Sequence, residues 1–455
     1  EPVEIEGIEC HLIGAGEDSP PCVAAAAVSG CAVSAASAVA LRAMLSPGGR
    51  APLADVVTMP ATGEVLFLVD LNRIIGERGE EIDRSLEMVR LLIAQSQRGA
   101  GVGAWGTLMA LYTDMMRGAV RVAGGVETLA VRVRPRAEGL TVEFDIDFVP
   151  GAVALLALPR HIERDLTLAD ALPPGALLTV GGTFDAERTA RMMTAFFAWF
   201  TATLPAGASR EAIFGGLTAQ SLSFYSSLGD EFAYAMVPAA EGGLMPATVM
   251  LMRTEDPPLS AARLAALVAS PAMLEMMRTM YAAQASGEIA FHDLGEREVH
   301  FVPVRHLRFS GLGRVMSDLM SEEAAAESVR EVLSGLDAID HWIAAADGFI
   351  AMTTEREPVL MAQILAGPGD PLAPPPLALG ADYILRLRLS RLIAWASGVS
   401  DPPLPGGLLA AAEAMAASEE GIWLTAELRP RGLAASLFVP SGDVRAIVDA
   451  MSRAD

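Results

Sequence analysis

A hairpin pattern that occurs twice constrains the fold of this chain more than any other sequence feature. In residues 126–150, apolar side chains alternate with polar ones on both sides of a Glu-Gly pair, which predicts two antiparallel strands that share one apolar face. Residues 423–440 have the same pattern, and the Arg-Pro-Arg sequence at 134–136 recurs at 429–431. The sequence therefore predicts two related hairpins.

A strand followed by helical sequence precedes each of these hairpins. Residues 63–71 form an apolar, strand-like run that leads into a predicted helix, and residues 381–389 do the same. A third strand, at 174–180, leads into a predicted helix over 186–200. Recurrence of the same units in the same order indicates a repeat architecture. We expect an α+β fold of divergent strand-helix-hairpin repeats, with curved antiparallel sheets backed by helices.

The chain of 455 residues is long enough for two or more domains. We expect residues 1–46 to form an acidic tail plus an Ala-rich apolar segment, as an anchor or a packed helix. Residues 47–168 are expected to form the first α+β repeat unit, and residues 169–370 the middle α+β unit or units. Residues 371–455 are expected to form a Pro-rich linker and the final α+β repeat unit.

The Ala-rich segment at residues 22–41 has three interpretations, which the sequence leaves open. Its length suits a membrane anchor, although Ala contributes little to insertion. The small residues before Cys31 fit a lipoprotein signal that would place a lipid on that cysteine. The third interpretation is an Ala-rich helix packed on the body or on a second chain, so self-association or another protein partner is expected.

Composition excludes several kinds of chemistry. The formal net charge of −23 argues against nucleic-acid binding, which needs a cationic face. The chain contains no lysine, so Schiff-base and P-loop chemistry are excluded. All three cysteines lie in the first 31 residues, so neither disulfides nor thiolate metal sites are expected in the body.

Short motifs give no catalytic, cofactor or metal site. A GxGxxG at residues 101–106 follows helix-like sequence, whereas a dinucleotide fingerprint follows a strand. His300 and His306 lie six apart on a run read as one strand, roughly 20 Å, which is too far for a shared metal. The Cys-His pair at residues 10–11 lies in the acidic tail. We therefore predict no cofactor and name no catalytic residue.

Charged residues of the first hairpin alternate along both of its strands. Arginines occur at 132, 134 and 136, and carboxylates occur at 143, 145 and 147. The carboxylates could bind Ca²⁺, but the facing arginines favour a ladder of opposite charges on the solvent face.

A methionine stripe suggests an apolar binding surface. Met273, Met276, Met277 and Met280 lie on one face of a predicted helix. Methionine side chains adapt to irregular surfaces, so this face could line a groove for lipid or another apolar ligand. Packing in an ordinary core gives the same pattern.

Three short motifs carry a resemblance to a known family. They are the Asp-Glu-Phe-Ala at 230–233, the strand ending Arg-Thr-Glu-Asp-Pro at 253–257, and the Asp-Gly hairpin at 347–353. They resemble a family of uncharacterised exported bacterial proteins, a domain of unknown function, over most of residues 55–450. The resemblance implies α+β repeats, export to the periplasm or outer envelope, and no established activity.

Three functions remain open from the sequence. The first is a non-enzymatic cell-envelope scaffold or binding protein, and the second is a carrier of lipid in the Met-lined groove. The third is a carboxylate-based hydrolase that would use the acids at 230–231. A cytoplasmic location is the alternative to the envelope.

Overall fold

The computed structural model describes thirteen principal ranges and some shorter pieces. They are residues 2–5, 8–13, 23–28, 31–35, 65–69, 122–152, 166–203, 210–238, 246–281, 289–311, 338–367, 381–399 and 421–446, with shorter pieces between 75 and 120 and at 313–314. Everything stated below applies to these parts of the chain.

The described strands are numbered in chain order. They are β1 Pro2–Ile5, β2 Ile8–Ile13, β3 Val23–Val28, β4 Cys31–Ala35, β5 Val65–Val69, β6 Val126–Pro135, β7 Gly139–Phe148, β8 Leu178–Thr183, β9 Glu231–Val237, β10 Ala247–Arg253, β11 Ala290–Val299, β12 Val302–Ser310, β13 Ala338–Ala346, β14 Phe349–Thr354, β15 Tyr383–Leu387, β16 Ile422–Arg429 and β17 Gly432–Pro440.

Six helices and one 3₁₀ turn complete the described elements with assigned bounds. The helices are α1 Ala186–Thr203, α2 Arg210–Tyr225, α3 Pro257–Val268, α4 Pro271–Tyr281, α5 Val359–Ala366 and α6 Leu389–Val399. The 3₁₀ turn is Leu168–Ala171.

Twelve strands form one open antiparallel sheet. Backbone pairing gives the order β6-β7-β17-β16-β15-β8-β9-β10-β14-β13-β12-β11. Strand β5 pairs with β6, and β4 to β1 continue from β5. The expected α+β class is confirmed. The segments predicted as separate units share this sheet, because β7 pairs with β17 and β15 pairs with β8.

Helices cover both faces of the sheet around β13 and β14. Alternate side chains of a strand point to opposite faces. On one face Trp342 of β13 packs with Met361 and Ile364 of α5. On the other face Ile343, the next residue, packs with Leu264 of α3. Both faces of this part of the sheet are therefore buried, which explains why its strands are apolar at most positions.

Two sequence interpretations of the N-terminal segment are wrong where the structure describes it. The expected helix over residues 22–41 is wrong for Val23–Val28 and Cys31–Ala35, which pair as antiparallel strands. Valine favours strand conformation, and both paired segments contain it, at Val23, Val28 and Val33. Residues 2–5 and 8–13, interpreted as an irregular tail, also pair as strands.

The run of residues 298–304, read as one strand, is interrupted by a turn. Val299 ends β11 and pairs with Val302, the first residue of β12. His300 and Phe301 therefore form a two-residue loop. The other middle hairpin was predicted correctly, because β13 and β14 are joined by Asp347 and Gly348.

Candidate functional site

The tip of the β11–β12 hairpin has an uncommon backbone conformation. His300 has φ +49° and Phe301 has φ +63°, and both central residues of a type I′ hairpin turn need such positive φ values. Asn and Gly normally occupy these positions, whereas a bulky side chain with positive φ is an outlier. Phe301 is also 92% exposed. The turn therefore costs conformational energy and leaves an aromatic ring in water.

Helix α5 lies beside this tip, and the partly buried carboxylate of Glu355 defines where it starts. The backbone N–H groups of Leu360 and Met361 donate to the Glu355 carboxylate at 2.8 and 2.9 Å. Thr353 donates its hydroxyl to the same carboxylate. Burial raises the pKa of Glu355, and these hydrogen bonds partly offset that rise. The helix start is fixed because its free N–H groups are satisfied.

An open cleft of about 520 Å³ lies between α5 and the end of β11. Val359, Ala362 and Ala366 of α5 line one side, and His300 lines the other. Val359 is 55% exposed. The alanines are small, so another chain could approach the helix closely here. An apolar floor of this kind next to an exposed ring is typical of surfaces that bind other molecules.

The rim of the cleft is charged and mainly acidic. Arg297 on β11 and Glu357 before α5 form an ion pair of 3.0 Å across it, with both side chains well exposed. Glu298 also lines the cleft. An exposed ion pair contributes little to stability, so its charges are free to exchange partners. The rim therefore carries two carboxylates and one guanidinium.

Three of the four predicted groove methionines pack inside the structure. Met273 and Met276 contact the cluster of Phe197, Ile213 and Leu217. Met277 packs with Ile289 and Phe309 of the sheet. The Met280 side chain lies outside the described residues. Core packing accounts for the three that are described, so the apolar groove stays a prediction.

The acids proposed for a hydrolase include a structural carboxylate. Glu231 has a fully buried side chain and accepts hydrogen bonds from Arg253 at 2.7 and 2.8 Å. Its other oxygen accepts from the N–H of Leu168. Glu231, the first residue of β9, therefore links the 3₁₀ turn to the sheet by a hydrogen bond. Asp230 also has an interaction partner.

The remaining candidate residues are dispersed. The GxGxxG at residues 101–106 lies outside the described residues, and Cys31 lies in β4, where its lipidation stays a prediction. His300 lies at the hairpin tip and His306 lies in β12. Among the described residues no cluster of three metal-ligand side chains occurs.

The charge ladder predicted for the first hairpin is present in part, and its Arg134–Glu143 pair is partly buried. Arg134 contacts Glu143 at 2.5 Å across β6 and β7. Asp145 pairs with Arg429 of β16 at 2.8 Å. These carboxylates are therefore partnered by arginine, as the ladder interpretation predicts.

Comparison of the chain with known protein families, curated proteins and solved structures finds no match. The resemblance to exported bacterial proteins therefore stays a prediction. Residues 257–278, which form α3 and α4, are long and apolar enough to cross a membrane by length and composition alone. Because α3 buries Leu264 against the sheet, this stretch is weak grounds for a membrane location.

The hairpin tip and its cleft could not be identified from the sequence. The pair His300-Phe301 contains neither Gly, Asn nor Asp, the residues that indicate a two-residue turn. The apolar outer face of α5 resembles an ordinary core face.

Proposed function

We propose that this protein is a non-enzymatic binding protein that recognises a protein partner at the end of its sheet. The binding surface comprises Phe301, the cleft and the rim formed by Arg297, Glu298 and Glu357. The observation that carries the proposal is Phe301, a ring that is 92% exposed on a left-handed backbone. A residue that costs energy and buries nothing is expected where its exposure has a use.

The charge of the chain selects the chemistry of the partner. The formal net charge is −23, and the rim has one more carboxylate than guanidinium. A cationic partner is therefore attracted, whereas an acidic partner, including a second copy of this chain, is repelled. We commit to a segment of another protein in which an apolar residue is flanked by arginine or lysine. The apolar residue fills the cleft beside Val359, and the cations meet the acidic rim.

The proposal is tested with a labelled synthetic peptide of alternating arginine and leucine. Two matched peptides carry glutamate in place of arginine, or serine in place of leucine. We expect binding only by the first peptide, measured by fluorescence anisotropy. Phe301→Ala should weaken it at least about 30-fold, because truncation of an aromatic hot spot costs about 2 kcal/mol or more.

The matched control is Leu294→Ala. Leu294 is 49% exposed on the same hairpin, at the bulge of β11 and away from the tip. Its removal should therefore leave the affinity within about twofold, as for an energetically near-neutral contact. Equal effects of the two substitutions would overturn the proposal. Equal binding of the arginine and glutamate peptides would overturn the assignment of a basic partner, and growth of the particle to a dimer would assign the surface to self-association.

We also propose that the sheet is built from related strand-helix-hairpin units. In the sheet, the strands β5-β6-β7 are followed by β17-β16-β15. The corresponding strands β7 and β17 are therefore neighbours, and the strands of the two units follow in opposite order on either side of them. Adding 293 to both residue numbers of most β6–β7 pairs gives a β16–β17 pair. At this offset Gly139 corresponds to Gly432. Each of these glycines faces the other strand of the β7–β17 pair.

A second pair of strands supports the same proposal. Strands β10 and β14 pair so that Leu251 faces Ala351, 100 residues further along the chain. At the same offset both strands end in similar sequences, Met-Arg-Thr-Glu at 252–255 and Met-Thr-Thr-Glu at 352–355. If the units share an origin, equivalent substitutions at Gly139 and Gly432 should have similar costs.

A further inference from the structure

A polar cluster lies on one face of the strands β11, β12 and β13, separate from the cleft. His292 of β11 is the cross-strand partner of Arg308 in β12. Arg308 in turn faces Asp340 of β13. Alternate residues of a strand share a face, so His306 and Ser310 of β12 lie on this face as well. Two histidines, an arginine, a hydroxyl and a carboxylate therefore lie on one face of these three strands.

The carboxylate of Asp340 holds two of these groups, His306 and Arg308, in place by hydrogen bonds. Its side chain is 3% exposed. One oxygen accepts from His306 Nε2 at 2.6 Å and from Arg308 Nε at 2.8 Å, and the other accepts from Arg308 Nη2 at 3.3 Å. Two bonds to one carboxylate fix the plane of the guanidinium.

The ring of His306 is fixed by a second contact. It stacks on Trp342 with ring centroids 3.8 Å apart and planes 13° apart. The Trp342 indole N–H donates to the backbone oxygen of Glu355 at 2.8 Å. The stack is therefore anchored to the chain segment that leads into α5.

Arg308 still has donors that point to solvent. The side chain is 42% exposed. A guanidinium has five N–H bonds, of which Asp340 takes two, so about three remain for a ligand. His292 is exposed beside it, with its Nε2 3.1 Å from the hydroxyl of Ser310. Cross-strand neighbours lie about 5 Å apart, so one small anion could contact Arg308 and a neighbouring group together.

We propose that this face binds a small oxyanion, the phosphate group of a soluble phosphomonoester. The planar fork of arginine matches the oxygens of phosphate, and a buried carboxylate that orients it reduces the entropy lost on binding. His292 and Ser310 supply further hydrogen bonds. Stability alone is a weak reason for this arrangement, because a buried ion pair can often be replaced as a whole by apolar residues without loss of stability.

The test uses inorganic phosphate and glycerol phosphate, each titrated into the full-length protein at low ionic strength. Calorimetry in a buffer free of phosphate reports the affinity, and acetate serves as the comparison anion. Arg308→Gln should weaken phosphate binding about 10- to 100-fold, the effect of losing charged hydrogen bonds. Arg308→Lys should give an intermediate loss, since lysine keeps the charge and lacks the fork.

The matched control is Arg305→Gln. Arg305 is 43% exposed on the opposite face of β12, where it pairs with Asp293 at 2.5 Å, so the substitution changes the net charge equally. Phosphate affinity should be retained. The proposal is overturned if the two variants lose affinity equally, if acetate binds as tightly as phosphate, or if the folded wild type shows no heat of binding to either phosphate ligand. Circular dichroism confirms that each variant folds.

Discussion

Substitution of Gly432 by alanine should destabilise the junction between β7 and β17. This pair joins the β6–β7 and β16–β17 hairpins into one sheet. A Cβ atom at Gly432 would lie 2.0 Å from the backbone oxygen of Ile146. A backbone oxygen in a strand cannot rotate away as a side chain would. The strands must therefore separate by about 1 Å to reach even a tight contact of 3.0 Å.

The cost of that separation follows from two contributions. Overpacking of a well-packed site costs about 1–3 kcal/mol. Separation also weakens adjacent backbone hydrogen bonds, such as the 2.8 Å bond from the Phe148 N–H to the oxygen of Arg431, at about 0.5–1.5 kcal/mol each. We expect Gly432→Ala to lower the free energy of unfolding by about 2–4 kcal/mol. Gly139→Ala should cost a similar amount, because its Cβ would lie 2.2 Å from the oxygen of Val439.

Urea denaturation followed by tryptophan fluorescence measures both costs. The matched control is Gly215→Ala in α2, where a Cβ meets nothing within 4 Å. There alanine should stabilise the helix by up to about 1 kcal/mol. If Gly432→Ala falls within about 0.5 kcal/mol of wild type, the range of an ordinary surface substitution, the close approach of β17 to β7 is refuted.

Two further predictions concern the buried carboxylate of Glu231 and the partly buried carboxylate of Glu355. Glu231→Ala should lower the free energy of unfolding, measured in urea, by about 3–5 kcal/mol, because it leaves Arg253 without its buried partner. The control is Glu127→Ala, which removes an exposed ion pair with Arg431. It should cost less than about 1 kcal/mol. Folding raises the pKa of Glu355 above its ordinary 4.5, so its contribution is most favourable below that pH and is lost as pH rises through the folded value. Thermal melts should therefore show wild type losing stability relative to Glu355→Gln as pH rises from about 4 to 7, and a pH-independent difference would contradict the prediction.

Much of the fold could be predicted from local sequence pattern. The alternation of apolar and polar residues in β6, β7, β16 and β17 predicted both hairpins, and the pairing of these strands confirms them. The Asp-Gly pair at 347–348 placed the turn between β13 and β14 correctly, because glycine adopts the positive φ of +76° found there. These features are set by residues close in the chain.

The order of the strands could not be predicted in the same way. Pairing of β7 with β17 joins residues almost 300 positions apart, and no local pattern specifies it. Constant offsets between paired hairpins appear only once the register is known. The repeated Arg-Pro-Arg illustrates the difficulty. The register places Arg429 opposite Gly432 and Arg136 opposite Gly139, so the equivalence shifts by two residues from the sequence match.

The candidate surfaces were missed for physical reasons. The turn at His300 and Phe301 violates the usual turn preferences, so its sequence resembled a continuous strand. The cluster around Asp340 depends on register between β12 and β13. Asp340 lies more than 30 residues from His306 and Arg308 in the chain, so their proximity exists only in the folded sheet.

One double substitution tests the binding account most directly. Replacing His300 by Asn and Phe301 by Gly gives the turn the residues that its positive φ values favour. The substitutions remove the cost of the left-handed conformation, and glycine adds entropy to the unfolded chain, which offsets part of this gain. The net effect should be to raise the free energy of unfolding by about 1–2 kcal/mol. The same variant should lose binding of the arginine-leucine peptide. A more stable protein that no longer binds is the predicted result, and a less stable protein, or one with unchanged affinity, would contradict the account.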